Sequence, residues 1–290
     1  MYPPQFDHET AESAEHAVEL LETNDDRDVK VLAGGHSLIP MMKTGLATPD
    51  LLIDISRLSE LSGIERTDDG FEIGATTNYA PVAKSDELHD EATAFAEAAE
   101  NIGDRQVRNR GTVGGNIAHA DPASDLPAAL LAHGGSVTIT GSDGDRTVDA
   151  DEFFYGMYET DVGPAELVTS ITVPAHGPNA VSTYEKDRSP ASGYAIVGVA
   201  VVLEADDGTI VDAAVTANGA MDRPSRLSAV EEALEGSEAT EAAVEAAAER
   251  AGESLNTAMM MSDQDASPEF REQKLKVYSK RALTRAVSQL

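Results

Sequence analysis

Apolar residues recur at helical spacing at Ala14, Ala17, Val18 and Leu21, with Thr10 placed to cap the helix they define and a break at Asn24-Asp25-Asp26. The pattern then changes to short unbroken runs. Val31-Leu32-Ala33 stops at Gly34-Gly35, and the β-branched run Leu51-Leu52-Ile53-Asp54-Ile55 reads as a buried strand, so two strands flank a glycine loop. The turn signal Asp68-Asp69-Gly70 leads into Phe71-Glu72-Ile73-Gly74-Ala75 and predicts a hairpin. Residues 91–102, rich in Ala and Glu with Phe95 on one face, read as a helix.

A second glycine-rich stretch, residues 111–116, precedes a helix expected to begin near Pro122, a residue suited to a first helical position, and to stop at Gly134-Gly135. Strands are predicted at residues 136–140, 167–173, 182–186, 194–204 and 210–217, the last two joined by a turn at Asp206-Asp207-Gly208. From about Arg223 the pattern is helical to the C-terminus, weakly between Gly236 and Gly252 and amphipathically through Phe270, Leu275, Tyr278 and Leu283. No internal repeat is visible. Strands and helices mix without a steady βαβ rhythm, which points to an α+β chain. Breakers cluster at Pro174-Ala175-His176-Gly177-Pro178 and divide the chain into residues 1–175, with both glycine loops, and residues 176–290, antiparallel strands followed by helices.

With 41% hydrophobic and 25% charged residues in 290, the chain can bury one or two ordinary cores, which excludes collagen-like and wholly disordered readings. Charge changes the picture more. Against 52 Asp+Glu stand 21 Lys+Arg, a net −31 that repels nucleic acid and anionic membrane alike and rules out a phosphate-tracking DNA binder. The acidic residues are spread over every segment, as in a whole-surface adaptation to a cytoplasm rich in salt, where close-range screening offsets self-repulsion. No basic-plus-apolar leader and no apolar run of roughly 20 residues is present, so a soluble cytoplasmic protein without a transmembrane segment is expected. Zero cysteines remove disulfides, thiolate zinc sites, a catalytic Cys and cysteine-ligated iron–sulfur clusters; iron–sulfur chemistry would need another chain.

Ala33-Gly34-Gly35-His36-Ser37 follows an apolar strand, and paired glycines there let backbone N–H groups approach a diphosphate that a Cβ would hold off. A tight turn is the plainer alternative. No G-x-x-x-x-G-K-[ST] or G-x-G-x-x-G is present, and Ile39 stands where a G-x-S-x-G elbow needs its last glycine. Gly111-Thr112-Val113-Gly114-Gly115-Asn116 offers a second backbone nest with a hydroxyl and an amide, and two such loops suit a ligand with two phosphates. His119, Asp121 and Asp125 could form a metal set, but one His with two carboxylates is a poor one for a transition metal. Asp121 also reads as a helix cap before Pro122.

Three stretches, Val31 through Lys43, Thr112 through Pro122 and Ser192 through Ala200, together resemble the FAD-binding medium subunit of the molybdenum hydroxylases, the family of carbon monoxide, xanthine and molybdopterin-type aldehyde dehydrogenases. The resemblance runs from about Pro4 to the C-terminal helices and implies a two-domain α+β flavoprotein with a PCMH-type FAD-binding domain. It implies a first diphosphate loop of Val31, Leu32, Ala33, Gly34, Gly35, His36, Ser37 and Leu38, and a second of Thr112, Val113, Gly114, Gly115 and Asn116. By the same matching Asp125 would hydrogen-bond the ribose or diphosphate, Ile102 and Val168 would supply apolar wall, and Lys186 and Tyr194 would lie near the flavin ring. Plain roles remain open: Ile102 and Val168 suit any core, Lys186 a solvated strand, Tyr194 a satisfied core.

The family's division of labour implies that this chain passes electrons through FAD to an external acceptor. They would come from [2Fe-2S] clusters on a small subunit, while a large molybdopterin subunit oxidises the substrate; the resemblance also implies a dimer of heterotrimers. The absence of cysteine excludes the branch whose flavin subunit holds its own cluster. No residue here need act as a base on the organic substrate. Two rivals are a self-contained FAD oxidase or reductase of the same fold, against which the lack of a substrate acid–base pair counts, and a flavin-free scaffold, against which the intact glycine loops count.

Overall fold

In the computed structural model, which describes residues 2–290, the apolar run Leu51–Asp54 is the middle strand of a three-stranded parallel sheet, between Asp7–Thr10 and Val29–Leu32. The helix Ala14–Thr23 buries Ala14, Ala17, Val18 and Leu21. Its cap is Ser13, whose hydroxyl accepts from His16 N at 3.1 Å, whereas Thr10, the expected cap, ends the edge strand. The reason is distance: a cap must stand directly before the first turn.

Next to this small sheet stands a five-stranded antiparallel one, ordered Ile64–Arg66, Gly70–Gly74, Leu167–Pro174, Ser136–Gly141, Gly144–Asp149. The hairpin expected at Asp68-Asp69-Gly70 joins its first two strands. The helix expected over residues 91–102 runs Thr93–Asn101 and buries Phe95 and four alanines; Glu91 instead ends a separate helix, Asp86–Glu91, parted from it at Ala92. The helix expected from Pro122 begins at Asp125 with Ser124 as the cap residue, and Asp121 Oδ1 closes a local turn by accepting from Ala123 N at 2.9 Å. Asp121 therefore caps no helix; Ser124 stands at the boundary instead.

The second half is a four-stranded antiparallel sheet of Ala180–Arg188, Ala195–Asp206, Thr209–Asn218 and Ser225–Arg226, followed by the helices Ser228–Leu234, Glu241–Ala248 and Pro268–Val287. Asp207 and Gly208, both at positive φ, form the tight turn between its two longest strands. The strand Ala195–Asp206 is almost continuously apolar because both its faces are covered. Val197, Val199, Val201 and Leu203 enter the core under the C-terminal helices, while Ala200 packs with Tyr184 into the core of the first half. Hydrogen bonds follow the same alternation: Ser182 Oγ accepts from Ala94 N on one side at 2.9 Å, and Thr183 Oγ1 donates to Ala282 O on the other at 3.0 Å.

The last helix carries six cations against two acids, in a chain of the opposite sign. Lys274 pairs with Asp187 at 2.8 Å, Lys280 with Glu245 at 2.6 Å and Arg285 with Glu185 at 3.1 Å, so the helix neutralises the acidic elements it packs against. Buried Arg271 pairs with Asp263 and donates to the carbonyls of Ile196 and Gly219, tying the start of this helix to the sheet. Among the described residues, no helix is long and apolar enough to cross a membrane.

Candidate cofactor-binding cleft

Where the strand Val29–Leu32 leaves the parallel sheet, residues 33–37 turn over its end into the short helix Leu38–Thr44 and form one wall of a cleft of about 380 Å³. Gly35 sits at φ +72°, a conformation open to glycine at little cost. Gly34 is required for a different reason: a Cβ there would stand 2.8 Å from Gly111 Cα and collide with the Arg110 carbonyl. The first glycine loop is thus pressed backbone to backbone on the entry to the second. Among the described residues, the N–H groups of Gly34, Gly35, His36 and Ser37 have no acceptor in the chain, although all four residues line the cleft. A run of unpaired donors without a Cβ in the way is a nest for an anion such as a diphosphate.

The second loop is built differently. Residues 113–119 are helical, with Thr112 as the cap whose Oγ1 accepts from Gly115 N at 3.3 Å. Val113 N donates to Thr77 O and Gly114 N to Ala75 O, both at 2.9 Å, and a Cβ on Gly114 would stand 2.7 Å from Ala75 Cα. This glycine pair lets a helix lie directly on the backbone after the strand Gly70–Gly74. Thr112, Gly114 and Gly115 line the cleft, whereas Val113 is fully buried in the core and Asn116 stands behind, donating to Tyr79 Oη at 3.1 Å.

All eight residues of the first loop and Val168 line the cleft; Ile102, Asp125, Lys186 and Tyr194 do not. Asp125, expected at the ribose or diphosphate, is 3% exposed with both carboxylate oxygens engaged: Oδ1 accepts from Tyr184 Oη at 2.6 Å and Oδ2 pairs with Lys186 Nζ at 2.7 Å. Burial raises the Asp125 carboxyl, and the Lys186 ammonium opposes that rise. Lys186 Nζ also donates to Asn101 O at 3.1 Å, so this ion pair joins the two halves of the chain in place of facing solvent. The tertiary fold brings the strand Ala180–Arg188 against the helix Asp125–Ala132, and a buried cation and carboxylate meeting there must pair. Tyr194 is 41% exposed, and burial raises its phenol to about 12, with the charge of Asp121 adding and the Ser37 side chain opposing.

Several lining residues carried no signal in the sequence. Tyr79 packs its ring against Gly111, and Tyr158, at φ +60°, stacks on His119 with ring centroids 4.9 Å apart. Isolated aromatics between motifs have no spacing to betray them. His119 faces the cleft with its imidazole pKa lowered by burial, while Asp125 is committed to Lys186, so the residues weighed as a metal set are not gathered at one point.

The model of the FAD binding domain in molybdopterin dehydrogenases matches residues 4–176, and that of the C-terminal domain of carbon monoxide dehydrogenase flavoproteins matches residues 182–286. The chain belongs to this flavoprotein family. It is an FAD-binding medium subunit of the molybdenum hydroxylases, and hence part of an oxidoreductase. The medium subunit is 37% identical over 282 residues to the glyceraldehyde dehydrogenase medium chain of Sulfolobus acidocaldarius, covering 97% of this chain and 98% of that one. To the carbon monoxide dehydrogenase medium chain of Hydrogenophaga pseudoflava it is 39% identical over 251 residues, 87% of each chain. The solved structure of carbon monoxide dehydrogenase from the same organism superposes with a TM-score of 0.94 over 100% of this chain and 99% of the other, at 37% identity. The free donors of Gly34 to Ser37 and the absence of any Cβ at Gly34 and Gly35 fit the diphosphate of the FAD that this family binds.

Proposed function

We propose that this medium subunit holds FAD with the diphosphate on the N–H groups of Gly34 to Ser37, and that it is the electron outlet of a three-chain enzyme. Bound FAD accepts electrons from a donor and returns them to an acceptor, one or two at a time. The four unpaired donors on a glycine-bearing turn carry the reading. Val31, Leu32, Ala33, Leu38 and Val168 give the cleft its apolar wall, and Thr112, Gly114 and Gly115 close it from the second loop. Tyr194, Tyr158 and His119 flank the opening and shield it from water. Val113, Asn116, Ile102, Asp125 and Lys186 act from behind the cleft, by holding the loop and the two domains in register.

In this reading the cysteine-free chain receives electrons from [2Fe-2S] clusters on a small subunit, and a large molybdopterin subunit oxidises the substrate, the whole being a dimer of heterotrimers. The relatives act in glyceraldehyde and carbon monoxide oxidation, which supports a substrate chosen on another chain. We place the domain boundary at residues 175/176. The net charge of −31 supports a salt-rich cytoplasm as the setting.

The test is the visible absorption spectrum of the chain, desalted in concentrated KCl after incubation with FAD and repeated with Gly115→Trp, which fills the cleft from the second loop. Bound flavin in the parent and none in a folded variant is expected. Equal retention in both would remove the cleft as the site.

A further inference from the structure

Among the described residues, twelve of the 21 Lys and Arg pair with carboxylates within 4.0 Å, and four of the remaining nine fall together: Arg105, Arg108, Arg110 and Arg188. The first three lie on or beside the single turn of helix Arg105–Arg108, where residues three apart share a face. Arg188 joins them from the second domain by donating to Gly103 O, and Arg108 donates to Ile102 O at 2.9 Å. Both bonds are to carbonyls, so neither charge is neutralised. The one carboxylate on the turn, Asp104, accepts from Gln106 N and Val107 N, and its pKa is lowered by those bonds and by the charges of Arg108 and His36. It offsets part of one charge.

The patch lies on the rim of the cleft. The Arg110 carbonyl abuts Gly34, and the Arg188 guanidinium would stand 3.0 Å from a Cβ on Gly193, next to Tyr194. None of the four arginines lines the cleft itself, and Arg105, Arg110 and Arg188 are exposed on an outward surface. The net charge of −31 otherwise works against the approach of an anionic protein.

Resting on the FAD reading above, we propose that this arginine patch is the docking face for an acidic electron-carrier protein that collects electrons from the cleft. Each FADH2 returns to FAD by giving one electron to each of two carrier molecules, and two protons pass to solvent. An outward-facing patch spread over two domains matches a protein surface, while a small anion would be met by a concave site.

The experiment uses the full chain, loaded with FAD and photoreduced, with three one-electron oxidants: acidic plastocyanin, basic cytochrome c and the small anion ferricyanide. Arg105→Gln with Arg110→Gln removes two exposed charges whose side chains make no bond in the fold. At low salt the double variant is expected to reoxidise about 10-fold more slowly with plastocyanin and no more slowly with cytochrome c, the difference vanishing in concentrated KCl. Equal slowing with both proteins, or no slowing with plastocyanin, would overturn the proposal. So would slowing seen only with ferricyanide, which would make the ligand a small anion. Amide shifts of the isotope-labelled, FAD-free chain titrated with plastocyanin give a readout independent of flavin: shifts confined to residues 103–111 and 188–194 support docking, and shifts elsewhere or none refute it. Failure to retain FAD, read from absorbance, would strike the function proposed above and leave this mapping decisive for the patch.

Discussion

Two loops with the same glycine pair do opposite work in this protein. At Gly34-Gly35 the chain leaves four successive N–H groups, of residues 34–37, without partners, while the N–H groups of Val113, Gly114 and Gly115 are taken by Thr77, Ala75 and Thr112. Both Gly34 and Gly114 lie on neighbouring backbone, but the first loop keeps its donors open in the cleft and the second does not. Paired glycines therefore identify a place where a Cβ is intolerable, and only the neighbours tell whether the excluded space belongs to a cofactor or to the next strand.

The sharpest way to break this contrast is Gly34→Val. Its Cβ meets the unyielding backbone of Arg110 and Gly111, so the loop must move and its donors with it. Charge-assisted hydrogen bonds contribute about 1.5–3 kcal/mol each, so loss of one or two weakens FAD binding by roughly 100-fold, measured by flavin titration. Retained affinity would show that these N–H groups are not the anion site.

Lys186→Met comes next and acts on the scaffold behind the second loop. It strands the Asp125 carboxylate, 3% exposed, and should lower unfolding stability in denaturant by about 3–5 kcal/mol. Where the variant remains folded, FAD affinity should fall far less than with Gly34→Val; a comparable fall would move Lys186 to the cofactor. Gly114→Ala presses on Ala75 and should cost about 1–3 kcal/mol of stability in the same assay. Smallest is Thr112→Ala, which removes a helix cap: about 1 kcal/mol and a lower thermal midpoint, with little change in FAD binding.

Much of the architecture was legible because it depends on local pattern. The strands around the first loop and the hairpin turns at Gly70 and Gly208 follow from apolar runs and breakers. The helix Val113–His119 was not legible, since two adjacent glycines argue against helix; the Thr112 cap and the close seat on Ala75 outweigh that propensity. Residues carried over from the family as direct cofactor contacts divide in the same way. Those in the first loop line the cleft, and Asp125 and Lys186 turn to each other instead.

The sequence by itself determined the class of fold, the two glycine loops, the lack of any thiol chemistry and the acidic surface, because each is a property of residue type, order or count. Tertiary structure alone decided which loop keeps free donors, that Tyr79, Tyr158 and His119 line the cleft beside that loop, and that Asp125 from one half and Lys186 from the other form a buried pair behind it. It also gathered Arg188 onto the 105–110 turn. These are meetings between residues far apart along the chain, set by how sheets and helices pack, and no local pattern of side chains encodes them.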